Sequence, residues 1–298
     1  MENKVLQINY KEKSSNFEKI LKKFQLKKII YRTLFKGKGL EFDGYRFLSP
    51  EDDYYLIDWK ASLRVGKKMT KVYREERDVS VYFLVDCSSA MLFGSGEKLK
   101  AEFTGEIVCV LSDLIVGSGD KASLIMFSDK LIKFVPPSPS KKQVLIFHKL
   151  LSDLNNYGGR FDIEKLLNYS ASIVGFSSSN SFVLVSDFLY LKKGFEKKIP
   201  SILKKGDFFS LMVRDKFDEI LPKKTTKVFV KDPFSEKKMF VDLSLVRKDF
   251  YKYSKSQKEK VVRIFNSNNV DILELKSDED FVLPLSKFMK SRAEEFRL

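Results

Sequence analysis

Apolar positions change their period along this chain, and each change marks an element. Val79-Ser-Val-Tyr-Phe-Leu-Val85 is a run of β-branched and aromatic residues that ends on Asp86, and small hydroxylated residues follow before a helical pattern over 97–116. A run that is apolar on both faces predicts a buried central strand, here delivering an acid to its C-terminal tip. Segments 121–127 and 131–135 read as two strands joined by Ser-Asp-Lys, with Pro136-Pro-Ser-Pro stopping the second. Helical patterns over 140–153, 162–174 and 194–204 alternate with apolar strands at 181–187, which ends on Asp187, and at 208–213. This alternation predicts an α/β fold: a Rossmann-like, mainly parallel sheet with helices on both faces.

The two ends of the chain read differently. Ser15-Asn-Phe-Glu18 has the spacing of a capping box, and Phe17, Ile20, Leu21 and Phe24 share one helical face, with lysines mostly on the others. Residues 37–59 are rich in Gly, Pro and Asp and read as loop, ending on the single tryptophan, Trp59, and 65–73 reads as extended. Asp58, Trp59 and Arg64 look like residues that lock this segment to the body. Beyond 214, strands at 225–231 and 238–241 flank Asp-Pro-Phe-Ser-Glu as a hairpin, and a helix over 245–266, a strand over 270–275 and a helix over 281–293 follow. Three regions result: an N-terminal helix and segment over 1–75, an α/β domain over 76–215, and a C-terminal hairpin with an α/β extension over 216–298 on the same body. The N-terminal segment and the C-terminal hairpin are expected to pack together beside the sheet.

Composition narrows the function classes. With 298 residues, 43% hydrophobic residues and 27 Phe, the chain can bury a full core. Its net charge is +15, and residues 1–40 hold eleven Lys or Arg against three Glu. That excess raises nucleic-acid or anionic-surface binding through the lysine-rich N-terminal helix as an alternative function, although a solvated lysine face on a docked helix accounts for the same pattern. Cys87 and Cys109 lack metal or disulfide spacing, and a lone histidine, His148, cannot make a His-based zinc site or a Ser-His-Asp triad. No apolar run approaches the roughly 20 residues of a bilayer span, and no signal-peptide pattern opens the chain, so a cytoplasmic location is expected.

The chemistry concentrates at two strand tips. Asp86 and Asp187, with Ser88 between them in sequence, are the hard oxygen ligands that a Mg²⁺ ion prefers. This arrangement resembles the metal-ion-dependent adhesion site of the von Willebrand factor A domain, whose loop reads Asp-x-Ser-x-Ser, with a Thr after a Gly-Gly turn and a later Asp. Asp86, Ser88 and Asp187 match; Ala90 stands where the second Ser belongs, and Arg160, after Gly158-Gly159, where the Thr belongs. The resemblance therefore implies a degenerate site in which Asp86, Ser88 and Asp187 hold Mg²⁺ weakly or not at all. Arg160 is expected to place its guanidinium between the two acids instead.

A second resemblance spans nearly the whole chain. Gly37-Lys-Gly-Leu-Glu-Phe-Asp-Gly-Tyr-Arg46, Pro50-Glu-Asp-Asp53, Ile57-Asp-Trp-Lys-Ala-Ser-Leu-Arg64, Asp86-x-Ser-x-x-Met91, Ser186-Asp187-Phe188, Arg214-Asp215 and Phe288-x-x-x-Arg292 are similar to the bacterial domain of unknown function 58 family. Glu51 and Tyr55 depart from its usual Gly and Arg. That resemblance implies a von Willebrand A-like domain without enzymatic activity, an adaptor working with a MoxR-type AAA+ ATPase in assembly or maturation of protein complexes. Asp86, Ser88, Ser89, Arg160 and Asp187 are its expected partner-binding residues. A hydrolase using the paired acids is the third reading, and it lacks a nucleophile–base pair.

Overall fold

Runs that are apolar on both faces become the middle of one sheet. The computed structural model describes residues 5–23, 40–49, 57–75, 79–175, 180–223, 227–235 and 237–295. In chain order it contains α1 (Lys11–Lys23), β1 (Leu40–Phe47), α2 (Trp59–Val65), β2 (Met69–Glu75), β3 (Ser80–Asp86) and α3 (Lys100–Gly117). Next come β4 (Lys121–Phe127), β5 (Leu131–Ser138), α4 (Lys142–Ser152), α5 (Ile163–Ile173), β6 (Asn180–Ser186), α6 (Ile199–Leu203) and β7 (Asp207–Arg214). The chain closes with β8 (Lys227–Lys231), β9 (Lys238–Asp242), α7 (Leu243–Ser267), β10 (Asp271–Lys276) and α8 (Val282–Glu295).

Six strands make the main sheet in the order β10-β7-β6-β3-β4-β5, parallel except for β5 at one edge. Counted along the chain within that sheet, the order is 3-2-1-4-5-6, the doubly wound arrangement, with β10 extending the sheet beyond β7. Strand alternation sends Val81, Phe83 and Val85 of β3 into one apolar cluster and Tyr82 and Leu84 into another. Helices α1, α3, α4 and α8 supply the first cluster, through residues such as Phe17, Ile107, Phe147 and Met289. Helices α5, α6 and α7 supply the second, through Leu166, Ile199 and Phe265. The mainly parallel sheet with helices on both faces is the expected fold.

Because α3 is buried along nearly its whole length, its charged side chains must find partners. Glu106, fully buried, accepts from Lys13 at 2.7 Å and Lys98 at 2.6 Å, and Glu102 accepts from the N–H of Gln7 and Leu99. These bonds hold an N-terminal strap, residues 6–10, across α3, with Leu6 and Ile8 buried beneath it. At the opposite end of the chain, buried Arg292 of α8 bonds Asp207 at 2.7 Å and also Asp271, and its guanidinium lies 4.6 Å from the Phe209 ring. That fork ties the last helix to the starts of β7 and β10.

Several local expectations are corrected. Helix α1 begins at Lys11, so Ser15 lies inside it and is no cap; Phe24 falls outside the described residues. The segment read as loop contains β1, paired antiparallel with β2, and 65–73 is helix end and then strand. Asp58 caps α2, accepting from the N–H of Lys60 and Ala61 at 3.0 Å, but Trp59 is 63% exposed and locks nothing. Pro136 does not end β5, because an edge strand tolerates missing donors and the register shifts there by a bulge. The N-terminal helix packs on α3 and α8 rather than on the C-terminal hairpin; the apolar face of Phe17 and Leu21 is completed by other helices.

Candidate functional site

Chain direction across the sheet reverses between β3 and β6, and their C-terminal tips flank the crevice where doubly wound folds bind ligands. Asp86 ends β3 and is fully buried. One of its oxygens accepts from the Ser88 N–H at 2.8 Å and the other from the Ser186 hydroxyl at 2.7 Å. Burial, and next the charge of Asp187, push its pKa up to about 7 against the lowering by those hydrogen bonds. Asp187, at the tip of β6, is 2% exposed and accepts from the Leu189 N–H at 3.0 Å.

The cation facing Asp187 is Lys100, the first residue of α3. Its ammonium, fully buried, lies 2.7 Å from Asp187 Oδ2 and 3.1 Å from Asp218 Oδ2. Burial alone would lower the pKa of Lys100, but Asp187 and Asp218 outweigh it and hold the lysine above its ordinary value. Burial raises Asp218 despite the nearby lysine. Arg214, at the tip of β7, is fully buried as well; it donates to Gln257 Oε1 at 2.7 Å, while Nε and Nη1 have no partner among the described residues. Burial lowers its pKa, and Asp187 and Asp218 act in the opposite sense. The strand tips thus carry a layer of buried ions that belong to each other.

Neighbouring loops are tied to this layer by hydrogen bonds. Asp215 accepts from Phe217 N and Ser95 N at 2.8 Å and from the Ser277 hydroxyl at 3.3 Å, which joins the loops after β3, β7 and β10. Phe188, directly after Asp187, has φ 52°, a left-handed conformation that a bulky residue adopts only when its surroundings over-determine it. Its ring packs edge-on against Phe265 at 5.1 Å, its N–H donates to Ser186 Oγ, and its carbonyl accepts from Gln257. Gln257 therefore links the strained turn to Arg214.

Expected site residues separate into two layers. Asp86, Ser88 and Asp187 are brought together but lie beneath the surface, at 0%, 1% and 2% exposure. Ser89 is half-buried at the rim, where its N–H donates to Gly159 O at 3.0 Å. Gly159 has φ +71°, and a Cβ there would sit 2.8 Å from Asp129 Oδ1, so this turn needs glycine. Arg160 does not bridge the acids, which corrects the expectation from sequence. Exposed, it places its guanidinium 4.7 Å from the Phe234 ring, and Tyr190 meets the same ring edge-on at 4.8 Å. The physical reason is that Lys100 already balances Asp187 from inside, while Arg160 leaves the Gly-Gly turn on the outer side. Sequence reasoning missed Lys100, Asp218 and Arg214; the available signal was a lysine at the head of a largely apolar helix whose other charges are all acidic, and a charged pair, Arg214-Asp215, ending an apolar strand.

The donors present do not fit a hexacoordinate Mg²⁺. Ser88 Oγ is buried without a hydrogen-bond partner among the described residues, as a ligand oxygen would be, but it stands alone. Ala90 offers no oxygen, Arg160 points to Phe234, and the carboxylate of Asp187 is taken by an ammonium. Among the described residues no group of three or more His, Cys, Asp or Glu side chains is arranged to hold a metal. Cys87, beside Asp86, is not set up as a nucleophile. Cys87 is fully buried, and burial, then the neighbouring Asp86, push its thiol well above the ordinary range, so it stays protonated.

The family described as protein of unknown function DUF58 matches residues 44–260. Uncharacterized proteins of Mycobacterium tuberculosis and Mycobacterium bovis are 21% identical over 263 residues, covering 87% of this chain and 81% of theirs. Among solved structures, the conserved hypothetical protein BatB from Bacteroides thetaiotaomicron is similar with a TM-score of 0.51 and 14% identity, over 72% of this chain and 99% of that one. A von Willebrand factor type A protein from Catenulispora acidiphila is similar with a TM-score of 0.44 and 8% identity, over 76% of this chain and 43% of that one. At 14% identity the likeness to BatB is one of fold. Among the described residues no helix is long and apolar enough to cross a membrane.

Proposed function

Since this chain belongs to the DUF58 family, we propose that it is a non-enzymatic, von Willebrand A-like interaction module whose strand-tip rim binds a protein partner, a MoxR-type AAA+ ATPase being the first candidate. The observation that carries this reading is the position of Lys100. Its ammonium pairs with Asp187 and Asp218 from within, which supports a face that works without a bridging metal, while Ser89, Arg160 and Tyr190 stand at the surface above them. Recognition at such a face rests on shape and rim charge rather than on a bridging cation. The cytoplasm, where such an ATPase works on the assembly or maturation of complexes, is the compartment that goes with this role.

The alternative, nucleic-acid or anionic-surface binding through α1, finds less support. Lys13 is drawn inward to Glu106 and lies 4.6 Å from the Phe281 ring, and Glu12 and Glu18 share the helix with Lys11 and Lys19.

The test is direct binding of the purified protein to the MoxR-type ATPase of the same source, by sensor-chip titration in ATP-, ADP- and nucleotide-free states. A complex that depends on nucleotide state and weakens about tenfold with Ser89→Arg or Arg160→Glu, one buried rim contact being worth roughly 1–2 kcal/mol, is the expected result. Absence of binding in every nucleotide state would remove the ATPase as partner. Binding untouched by both variants would move the contact away from the strand tips.

A further inference from the structure

Away from the strand tips, exposed apolar side chains gather on the β8–β9 hairpin. Phe229 and Phe240 are directly paired across the strands with ring centroids 5.1 Å apart, at 76% and 56% exposure. Alternation puts the neighbouring pair, Val230 and Met239, on the opposite face, and both are exposed too. The hairpin is nevertheless held at both ends. Val228 and Val241 are half-buried at its base, and Phe234 in its turn rests on Tyr190 and Arg160. A supported two-stranded element with apolar side chains on both faces suits a medium that can surround it, whereas a flat protein surface would cover one face only.

Charge supplies the second argument. Residues 227–255 hold eight Lys or Arg against four Asp or Glu, and seven of the eight are lysines. Lys227, Lys237 and Lys238 are exposed on the hairpin itself, and the single arginine, Arg247, donates internally to Pro222 O at 2.8 Å. Two of the acids serve the local fold: Asp232 accepts from Phe234 N and Ser235, and Asp242, opposite Lys227, caps α7 through Ser244. Protein interfaces favour arginine and are depleted in lysine. Anionic headgroups, in contrast, are met by flexible lysines as point charges beside aromatic and aliphatic side chains at the acyl boundary.

We propose that the β8–β9 hairpin is a peripheral contact with anionic membranes, Phe229 and Phe240 entering the headgroup boundary while Lys227, Lys237 and Lys238 face lipid phosphates. This contact uses neither Ser89 nor the buried ions, although Arg160 and Tyr190, which hold the hairpin turn, also stand on the partner rim. The experiment is co-sedimentation of the full chain with phosphatidylcholine vesicles with and without phosphatidylglycerol, across a salt series. Wild type should pellet with the anionic vesicles only, and less as salt rises. Lys237→Gln and Lys238→Gln should each weaken binding about five-fold, and Phe229→Ser with Phe240→Ser about tenfold or more. A second readout keeps the hairpin intact: in a Trp59→Phe background, the fluorescence of Phe240→Trp should shift to the blue on anionic vesicles. No pelleting, equal pelleting with neutral vesicles, or an unshifted Phe240→Trp emission would each overturn the proposal. So would loss of ATPase binding, with vesicle binding intact, in the double Phe variant, which would assign the hairpin to a protein.

Discussion

Replacing Lys100 by Met keeps the length of the side chain and removes its charge. In the folded protein that ammonium is 2.7 Å from Asp187 and 3.1 Å from Asp218, and the three side chains are 1%, 3% and 8% exposed. Removing one partner of a buried pair leaves the other charged and desolvated, at a cost of about 3–5 kcal/mol. Arg214 also acts on both carboxylates, which places the expected loss at the lower end, about 3 kcal/mol. At roughly 2 °C per kcal/mol for a chain of this size, the thermal midpoint of Lys100→Met should fall by about 6 °C. The deficit should shrink as pH is lowered, because burial already raises the pKa of Asp218 and protonating that carboxylate relieves uncompensated charge. Adding Asp187→Asn to Lys100→Met should recover part of the loss, with a coupling of about 0.5–3 kcal/mol between the two sites. Scanning calorimetry and urea titrations of the single and double variants measure all three terms. A Lys100→Met protein within about 0.5 kcal/mol of wild type, or strict additivity with Asp187→Asn, would refute the argument that this lysine balances the strand-tip acids.

Further predictions concern the same layer and its supports. Magnesium and EDTA should leave the melting midpoint of wild type unchanged; a reproducible rise with Mg²⁺ would show that Ser88 and the acids still take the ion. Asp86 titrates in the fold at about 7, above its ordinary 3.8, so the folded state binds the extra proton and stability falls as pH climbs through that window. The slope is about 1.4 kcal/mol per pH unit from this one group, and Asp86→Asn should abolish it, gaining on wild type at about pH 8 but not at about pH 4, as followed by denaturant midpoints. Gly105→Ala would drive a methyl group into Ile8, so the N-terminal strap should lift at a cost of about 1–3 kcal/mol, seen as faster amide exchange over residues 6–10. Arg160→Ala should remove about 0.5–1 kcal/mol of cation–π attraction from the hairpin turn, raising exchange in residues 227–235 while the global midpoint holds; unchanged exchange there would mean that Phe234 is held by Tyr190 alone.

Much of the fold was legible in the chain because burial on both faces writes itself as continuous apolar runs. All five parallel strands of the main sheet, the antiparallel hairpin partner β5 and the β8–β9 hairpin fall within a few residues of the sequence reading. Failures cluster where local chemistry is ambiguous. Pro136 reads as a strand stop, but at an edge its missing N–H costs nothing. β1 hides among Gly and Asp because its partner, β2, is what makes it a strand.

For the site, sequence placed Asp86 and Asp187 at strand tips, and the resemblance to the adhesion-site motif pointed to the Gly158-Gly159 turn beside Ser88. Which cation balances the acids was beyond it. Arg160 was the candidate because it stands where the motif has its Thr, whereas Lys100 and Asp218 come from a helix start and a loop that the packing of β3, β6 and β7 brings within 3.1 Å. Periodicity records which side chains are buried, since burial is a property of each position against solvent. Ion pairing depends on distances between residues 87 and 118 positions apart, and no local pattern carries those.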